Sequence, residues 1–326
     1  MTDRSTPSNL LEDFRSSKRR LVIFLAFIIL ISVAILIFVK ISSETVAPAN
    51  DTSGSTQLAF SPQDISTLRQ GHYALWGIDS TRKATLIKRF NALNGKLYGL
   101  NGQELLSWPL GQTDWTGFFV TIEQEGDRDE TPTDYKFLEC SVSKVEDKNQ
   151  CLLKFAILAA GDVEGSYILS TPSDNNATIN EASGIWFTDP AGTKPALSLP
   201  AIASGPWIFE ARITSSTGST VFIGRFKQIS GQDNDNRYSL KEGSLYQFPG
   251  EDFLTNLPSE LSGPLNLSSG NYLVTISLEP DQNGYDLSGD HTLVNLLESP
   301  IPAGLVAHTQ MQMKNIRQKP QILLNF

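Results

Sequence analysis

The chain of 326 residues is poor in the residues from which most active centres are built: it has two cysteines and three histidines. His72, His291 and His308 are scattered, and no two of them have the spacing of a metal pair. There is no Gly-x-Ser-x-Gly elbow and no phosphate-cradling glycine loop. Basic charge is also scarce, with 26 Lys and Arg against 35 Asp and Glu, a net charge of −9. The first forty residues are nonetheless net positive, so the remainder is clearly acidic. A nucleic-acid partner needs a basic footprint, and none is present. An acidic surface suits solubility or the binding of cations or basic partners. No catalytic residue, metal or cofactor is expected. An envelope hydrolase would need a carboxylate pair set apart in a deep cleft, which the sequence does not single out.

The one long apolar run is Leu21 to Val39, LVIFLAFIILISVAILIFV, interrupted only by Ser32. Nineteen residues at about 1.5 Å each span roughly 28 Å, close to a bilayer's hydrocarbon core. A buried core helix would carry a polar stripe, and this run has none. A cleaved signal peptide would have a shorter core of about 7–15 residues and a small-residue site at its end. The nearest such triplet, Ala47-Pro48-Ala49, lies past the end and contains proline. The expectation is a transmembrane helix over 21–40 contacting the lipid bilayer. Lys18, Arg19 and Arg20 abut one end and only Lys40 the other. The positive-inside rule then gives a short cytoplasmic tail, 1–20, with the rest of the chain outside the plasma membrane.

Residues 41–56 are small, polar and proline-containing, the composition of a flexible stalk. Beyond them come short runs rich in Val, Ile, Phe, Tyr, Trp and Thr, broken by Gly, Pro, Asn and Asp. Examples are YALWGI (73–78), FFVTIE (118–123), KFAILAA (154–160), YILST (167–171), IWFTD (185–189), WIFEARI (207–213), TVFIGRF (220–226) and YLVTISLE (272–279). No comparable stretch has helical periodicity, and short strands with regular turn signals predict β-sandwiches. Landmarks recur in one order: GHYALWGID, Arg89-Phe90 and FFVTIE, then GPWIFEARI, Arg225-Phe226 and YLVTISLE. The reading is all-β, with two Ig-like antiparallel β-sandwich units over 57–160 and 161–303 and a C-terminal tail over 304–326. The tail's alternation of Ile322, Leu324 and Phe326 fits neither unit.

Cys140 and Cys151 flank the polar stretch Glu146-Asp147-Lys148-Asn149, which suggests a hairpin with the cysteines facing each other. In an oxidising compartment that spacing reads as a cross-strand disulfide, and in a reducing one as two free thiols. Oxygen ligands concentrate at Asp233 and Asp235, and again at Asp281, Asn283 and Asp286. Calcium takes several such oxygens, but the EF-hand pattern is absent, and Asp, Asn and Gly are ordinary turn formers. Trp76, Trp186 and Trp207 lie in strand-like runs, where large rings build inter-sheet cores.

Tyr73-Ala74-Leu75-Trp76-Gly77-Ile78, Phe119-Val120-Thr121-Ile122-Glu123 and the acidic turn leading to Pro132-Thr133 resemble the extracytoplasmic region of anti-sigma-K-type factors. SGIWFTDP (183–190), LSLPAIASGPWIFEA (197–211), FPGEDFLTNLP (248–258) and TISLEPDQN (275–283) resemble a related anti-sigma-factor-like envelope pattern. The resemblance covers most of residues 70–283. It implies an outer β-sandwich that senses the envelope and a cytoplasmic domain that grips a sigma factor. The family's zinc-binding His-x3-Cys-x2-Cys pattern is absent here, and about twenty residues cannot bury a core. The expected partners are therefore an envelope ligand or protein outside and a cytoplasmic regulator reached through the N-terminal tail. The alternative is a structural or adhesive surface module.

Overall fold

A computed structural model describes residues 56–326 apart from Arg69, 112–113, Ser204, 241–244, Ser262 and 282–291. The expected tail (1–20), transmembrane helix (21–40) and nearly all of the stalk lie outside the described residues. Among the described residues no helix is long and apolar enough to cross a membrane. Ser55–Phe326 forms one compact unit. Its described residues are all-β, with strands in several antiparallel sheets and three single-turn 3-10 segments.

The first nine strands are β1 (Thr56–Gln63), β2 (His72–Asp79), β3 (Ala84–Leu93), β4 (Lys96–Gly99), β5 (Ser107–Leu110), β6 (Trp115–Glu123), β7 (Lys136–Ser141), β8 (Ser143–Val145) and β9 (Lys148–Lys154). They are followed by β10 (Glu164–Leu169), β11 (Gly184–Trp186), β12 (Leu197–Ser198), β13 (Trp207–Ser215), β14 (Thr220–Phe226) and β15 (Gly250–Asp252). The chain ends with β16 (Tyr272–Pro280), β17 (Val294–Pro300), β18 (Met311–Gln312), β19 (Lys314–Asn315) and β20 (Gln321–Asn325). A ten-stranded sheet runs β4-β3-β2-β6-β7-β9-β20-β1-β5, with β8 hairpinned to β9. Two five-stranded sheets contain β12-β10-β11-β15 with β18 on β10, and β14-β13-β16-β17-β19.

The large sheet turns back on itself. Leu105 N donates to Leu97 O and Gly99 N to Gln103 O, both at 2.8 Å, so residues 103–105 pair with β4. Phe60 N then donates to Leu106 O, and β5 continues along β1. This joins the two ends of the ladder and covers backbone groups that an open edge would expose. Inward positions such as Leu58, Tyr73, Leu75, Phe118, Val120 and Leu153 are buried, as the two-residue side-chain period of strands dictates.

The recurring landmarks have a topological meaning. The orders β3-β2-β6-β7 and β14-β13-β16-β17 are equivalent. Tyr73 pairs with Phe90 and Ile122, and Phe209 pairs with Phe226 and Leu278. Arg89 faces Ala74 as Arg225 faces Glu210. The register slips between Leu75 and Trp76 in one copy and between Ala211 and Arg212 in the other, which is the same step. A bulge fixed at one position in both copies sets the same local twist.

The boundaries expected at 160 and 303 are crossed. Expected tail residues 321–325 form β20, which lies between β1 and β9 and buries Ile322 and Leu324. Its alternation is that of a strand with one face in the core, and only the closed sheet offered it neighbours. One hydrophobic cluster runs from Leu58 through Trp207 and Leu297 to Leu324. The run KFAILAA differs from the expected strand in all but its first residue: β9 stops at Lys154, and Ile157 and Leu158 are buried from a connecting segment. A short apolar run does not by itself distinguish a strand from a buried linker.

Candidate functional site: a carboxylate junction between two sheets

β15 is short, but it carries two adjacent carboxylates, Glu251 and Asp252, and it pairs with β11 so that Gly184 faces Asp252 and Trp186 faces Gly250. Adjacent strand residues point to opposite sides, so each carboxylate engages a different layer. Asp252 accepts the Trp186 indole N–H and the Ser173 backbone N–H, both at 2.8 Å. Glu251 accepts Tyr238 N (3.3 Å) and the Ser239 hydroxyl (2.5 Å). Asp233 reaches in from the preceding loop and accepts Gly250 N (2.8 Å) and Asp235 N (2.9 Å).

Glycines make these approaches feasible. A Cβ on Gly224 of β14 would lie 2.2–2.5 Å from the Asp233 carboxyl atoms. A Cβ on Gly184 would meet Ser170 O at 2.0 Å and an Asp252 oxygen at 2.6 Å. Asp233 is thus wedged between β14 of one five-stranded sheet and β15 of the other.

The three carboxylates have neutral hydrogen-bond donors and, among the described residues, no ion pair. The nearby cations are engaged elsewhere: Arg237 pairs with Asp235 at 2.7 Å and Arg225 with Glu210 at 2.6 Å. Burial without a counter-ion favours the protonated form. It raises Asp233 to about 7, Glu251 to about 8 and Asp252 to about 6, against the opposing pull of the hydrogen bonds each accepts.

A second buried polar group occupies the equivalent faces of the two repeated four-strand sets. Glu123 and Glu279 close the third strand of each copy, and both are buried. Glu123 accepts Thr133 N (3.3 Å) and the Thr121 hydroxyl, and Glu279 accepts Leu293 N (2.9 Å). Each therefore fixes the segment entering the fourth strand. Burial raises both, Glu279 to about 7 with the Glu210 charge adding to it. At the position of Trp76 the second copy has Arg212, which bonds Glu210.

The residues singled out for cation binding do not come together as one described group. Asp233 and Asp235 line a cavity of about 140 Å³ with Trp186, Phe248 and Gly250. Asp233 spends its oxygens on backbone N–H groups, and Asp235 is paired with Arg237. Asp281 pairs with Lys227 at 2.6 Å. Asn283 and Asp286 lie outside the described residues, as do the topology signals Lys18, Arg19 and Arg20. Among the described residues no group of three or more His, Cys, Asp or Glu is placed to hold a metal ion.

Cys140 and Cys151 form the disulfide, with Cα atoms 5.7 Å apart. The hairpin turn beside it falls at Glu146 and Asp147, both at positive φ, as a two-residue type I′ turn requires. The three tryptophans are buried but do not share one core. Trp207 belongs to the main cluster, Trp76 packs with Phe119 on the outer face of β2 and β6, and Trp186 packs with Ile168, Leu245 and Tyr246.

Glu251 and Asp252 were missed as site residues. A Pro-Gly-Glu-Asp stretch reads as a turn, and nothing local says that it pairs with β11 under Trp186. Comparison with protein-family models, curated proteins and solved structures finds no match.

Proposed function

We propose that the chain is a non-enzymatic, single-pass plasma-membrane protein whose extracytoplasmic part binds or senses a component of the envelope. In this reading residues 1–20 are cytoplasmic and 21–40 span the bilayer. The remainder forms two Ig-like β-sandwich modules that share one hydrophobic core and resemble the outer region of anti-sigma-K-type factors, without their sigma-gripping zinc domain. The observation that carries it is the Cys140–Cys151 disulfide in an all-β unit that follows a nineteen-residue apolar run. Disulfides persist in oxidising compartments, the side of the membrane to which the Lys18-Arg19-Arg20 signal assigns this region. The equivalent strand orders β3-β2-β6-β7 and β14-β13-β16-β17 support the two-module description.

The test is an affinity pull-down of the full-length chain from gently solubilised membranes, beside a chain lacking residues 2–20. A cytoplasmic regulator recovered only with the tail supports transmembrane signalling. Envelope components recovered equally with both chains make the protein a display or adhesion module. Recovery of the full-length chain in the soluble fraction would overturn the membrane reading.

A further inference from the structure

We propose that Asn176 is an acceptor for an N-linked glycan, transferred to it outside the membrane from a lipid-diphosphate-linked oligosaccharide. The inference rests on the topology given above and adds a covalent modification to it.

The acceptor pattern for N-glycosylation is Asn-x-Ser/Thr with x other than proline. It occurs at Asn50-Asp51-Thr52, Asn176-Ala177-Thr178 and Asn266-Leu267-Ser268. Asn50 lies outside the described residues. The other two differ in what the fold lets an enzyme reach. Asn175 to Asn180 are all exposed, in the connection between the single-turn segments Pro172–Asp174 and Glu181–Ser183. Asn175 and Asn180 stand at φ 56 and 57, left-handed turns that bracket the exposed stretch. The side-chain bonds of the turn are local: Asp174 Oδ1 accepts Asn176 N (2.8 Å), and Asn176 Oδ1 accepts Thr178 N (3.1 Å). Lifting residues 175–180 into an enzyme's groove therefore uncovers no buried side chain. Asn266 is exposed too, but it sits between Leu265 and Leu267, both buried in the main hydrophobic cluster, and Leu265 N is bonded to Phe253 O (3.1 Å). Extending that triplet would pull two leucines out of the core.

The amide of Asn176 is also oriented. Its oxygen takes both the Thr178 N–H and the Thr178 hydroxyl (2.7 Å), so the hydroxyl that the pattern requires already lies on the acceptor side chain. Since both partners are donors, the oxygen end of the amide faces Thr178 and the NH2 end is turned away from it. In the transfer, Asn176 Nδ2 forms a bond to C1 of the first sugar as the C1–O bond to the diphosphate breaks. The lipid diphosphate leaves with the electron pair, and the amide nitrogen gives up one proton.

The experiment is peptide mass spectrometry of the full-length chain, purified from the cells that naturally make it. The peptide spanning Asn176 is expected to carry the added mass of a chain of sugars, and the peptide spanning Asn266 to be unmodified. Asn176→Gln and Thr178→Ala should each lose the added mass, whereas Thr178→Ser, which keeps the hydroxyl, should retain it. An unmodified Asn176 in the wild type would overturn the proposal without any variant. So would a glycan on Asn266 in its place, or an added mass that survives Asn176→Gln. Absence of the glycan from a chain recovered in membranes refutes the acceptor alone. Its absence from a chain recovered in the soluble fraction removes the topology and the acceptor together. A glycan on Asn176 of a chain that captures no envelope component leaves the acceptor standing and removes the binding reading.

Discussion

Individual side chains show how burial decides roles that residue type leaves open. Trp207 is 1 % exposed and lies within ring contact of Tyr135 (6.1 Å) and Phe137 (6.3 Å), where β13 meets the large sheet. Its neighbour Gly205 is at φ +84, and a Cβ there would come within 2.9 Å of the indole. The ring therefore acts as packing between the two repeated sets. A cavity of about 380 Å³ with Asp134, Lys136 and Glu139 among its lining residues also borders it. Trp207→Ala should destabilise the fold by about 3–5 kcal/mol in chemical denaturation. A loss near zero would mean that the ring does little packing and serves the cavity instead. Arg212 illustrates the same principle with charge. At the position of Trp76 a buried guanidinium is tolerated because Glu210 lies beside it, with Arg225 bonded to the other Glu210 oxygen.

Among the elements, the disulfide hairpin and β20 meet as neighbours inside the large sheet although they lie far apart in the sequence. Cys151 pairs in register with Leu324, and Phe118 with Cys140, so the crosslink borders the position where β20 inserts. Asn149 and Phe326 exchange two backbone hydrogen bonds of 3.0 Å at the same end. The disulfide closes a loop of sequence separation 11, for which loop-closure entropy gives a stabilisation of about 3 kcal/mol. The double variant Cys140→Ser/Cys151→Ser should lose roughly that amount in denaturant titrations, and the wild type should lose it on reduction. Unchanged stability after reduction would show that the hairpin and β20 hold the region without the crosslink.

Taken whole, the molecule should respond to pH with a defined sign. Asp233, Glu251, Asp252 and Glu279 are raised to about 7, 8, 6 and 7 by burial, above the ordinary carboxylate range near 4. A raised folded value stabilises fully below the unfolded value, and that contribution is lost as pH climbs through the folded values. Stability should therefore fall between about pH 6 and about pH 8.5. His72 works in the other direction: burial and Arg89 lower it, so its contribution is lost as the pH falls below about 6.5. Thermal unfolding of the full chain should give a higher Tm near pH 6 than near pH 8.5. The reverse order would mean that these carboxylates are not the dominant titrating groups.

The sequence by itself determined that the region is all-β, where most long strands run, where the hairpin turn falls, and that the two cysteines face each other across it. Those are local properties: side-chain alternation, β-branched and aromatic content, and turn chemistry within a few residues. It also exposed the repeated landmarks, because corresponding strands keep Arg-Phe and a terminal Glu. Only the tertiary structure decided that 321–325 is a strand of the first sheet and that 103–105 closes the ladder on β4. It alone decided that Asp233 reaches the backbone N–H of Gly250, next to Glu251 and Asp252. Such pairings join residues far apart in sequence, and their free energy comes from burial and from hydrogen bonds that exist only once the sheets have packed.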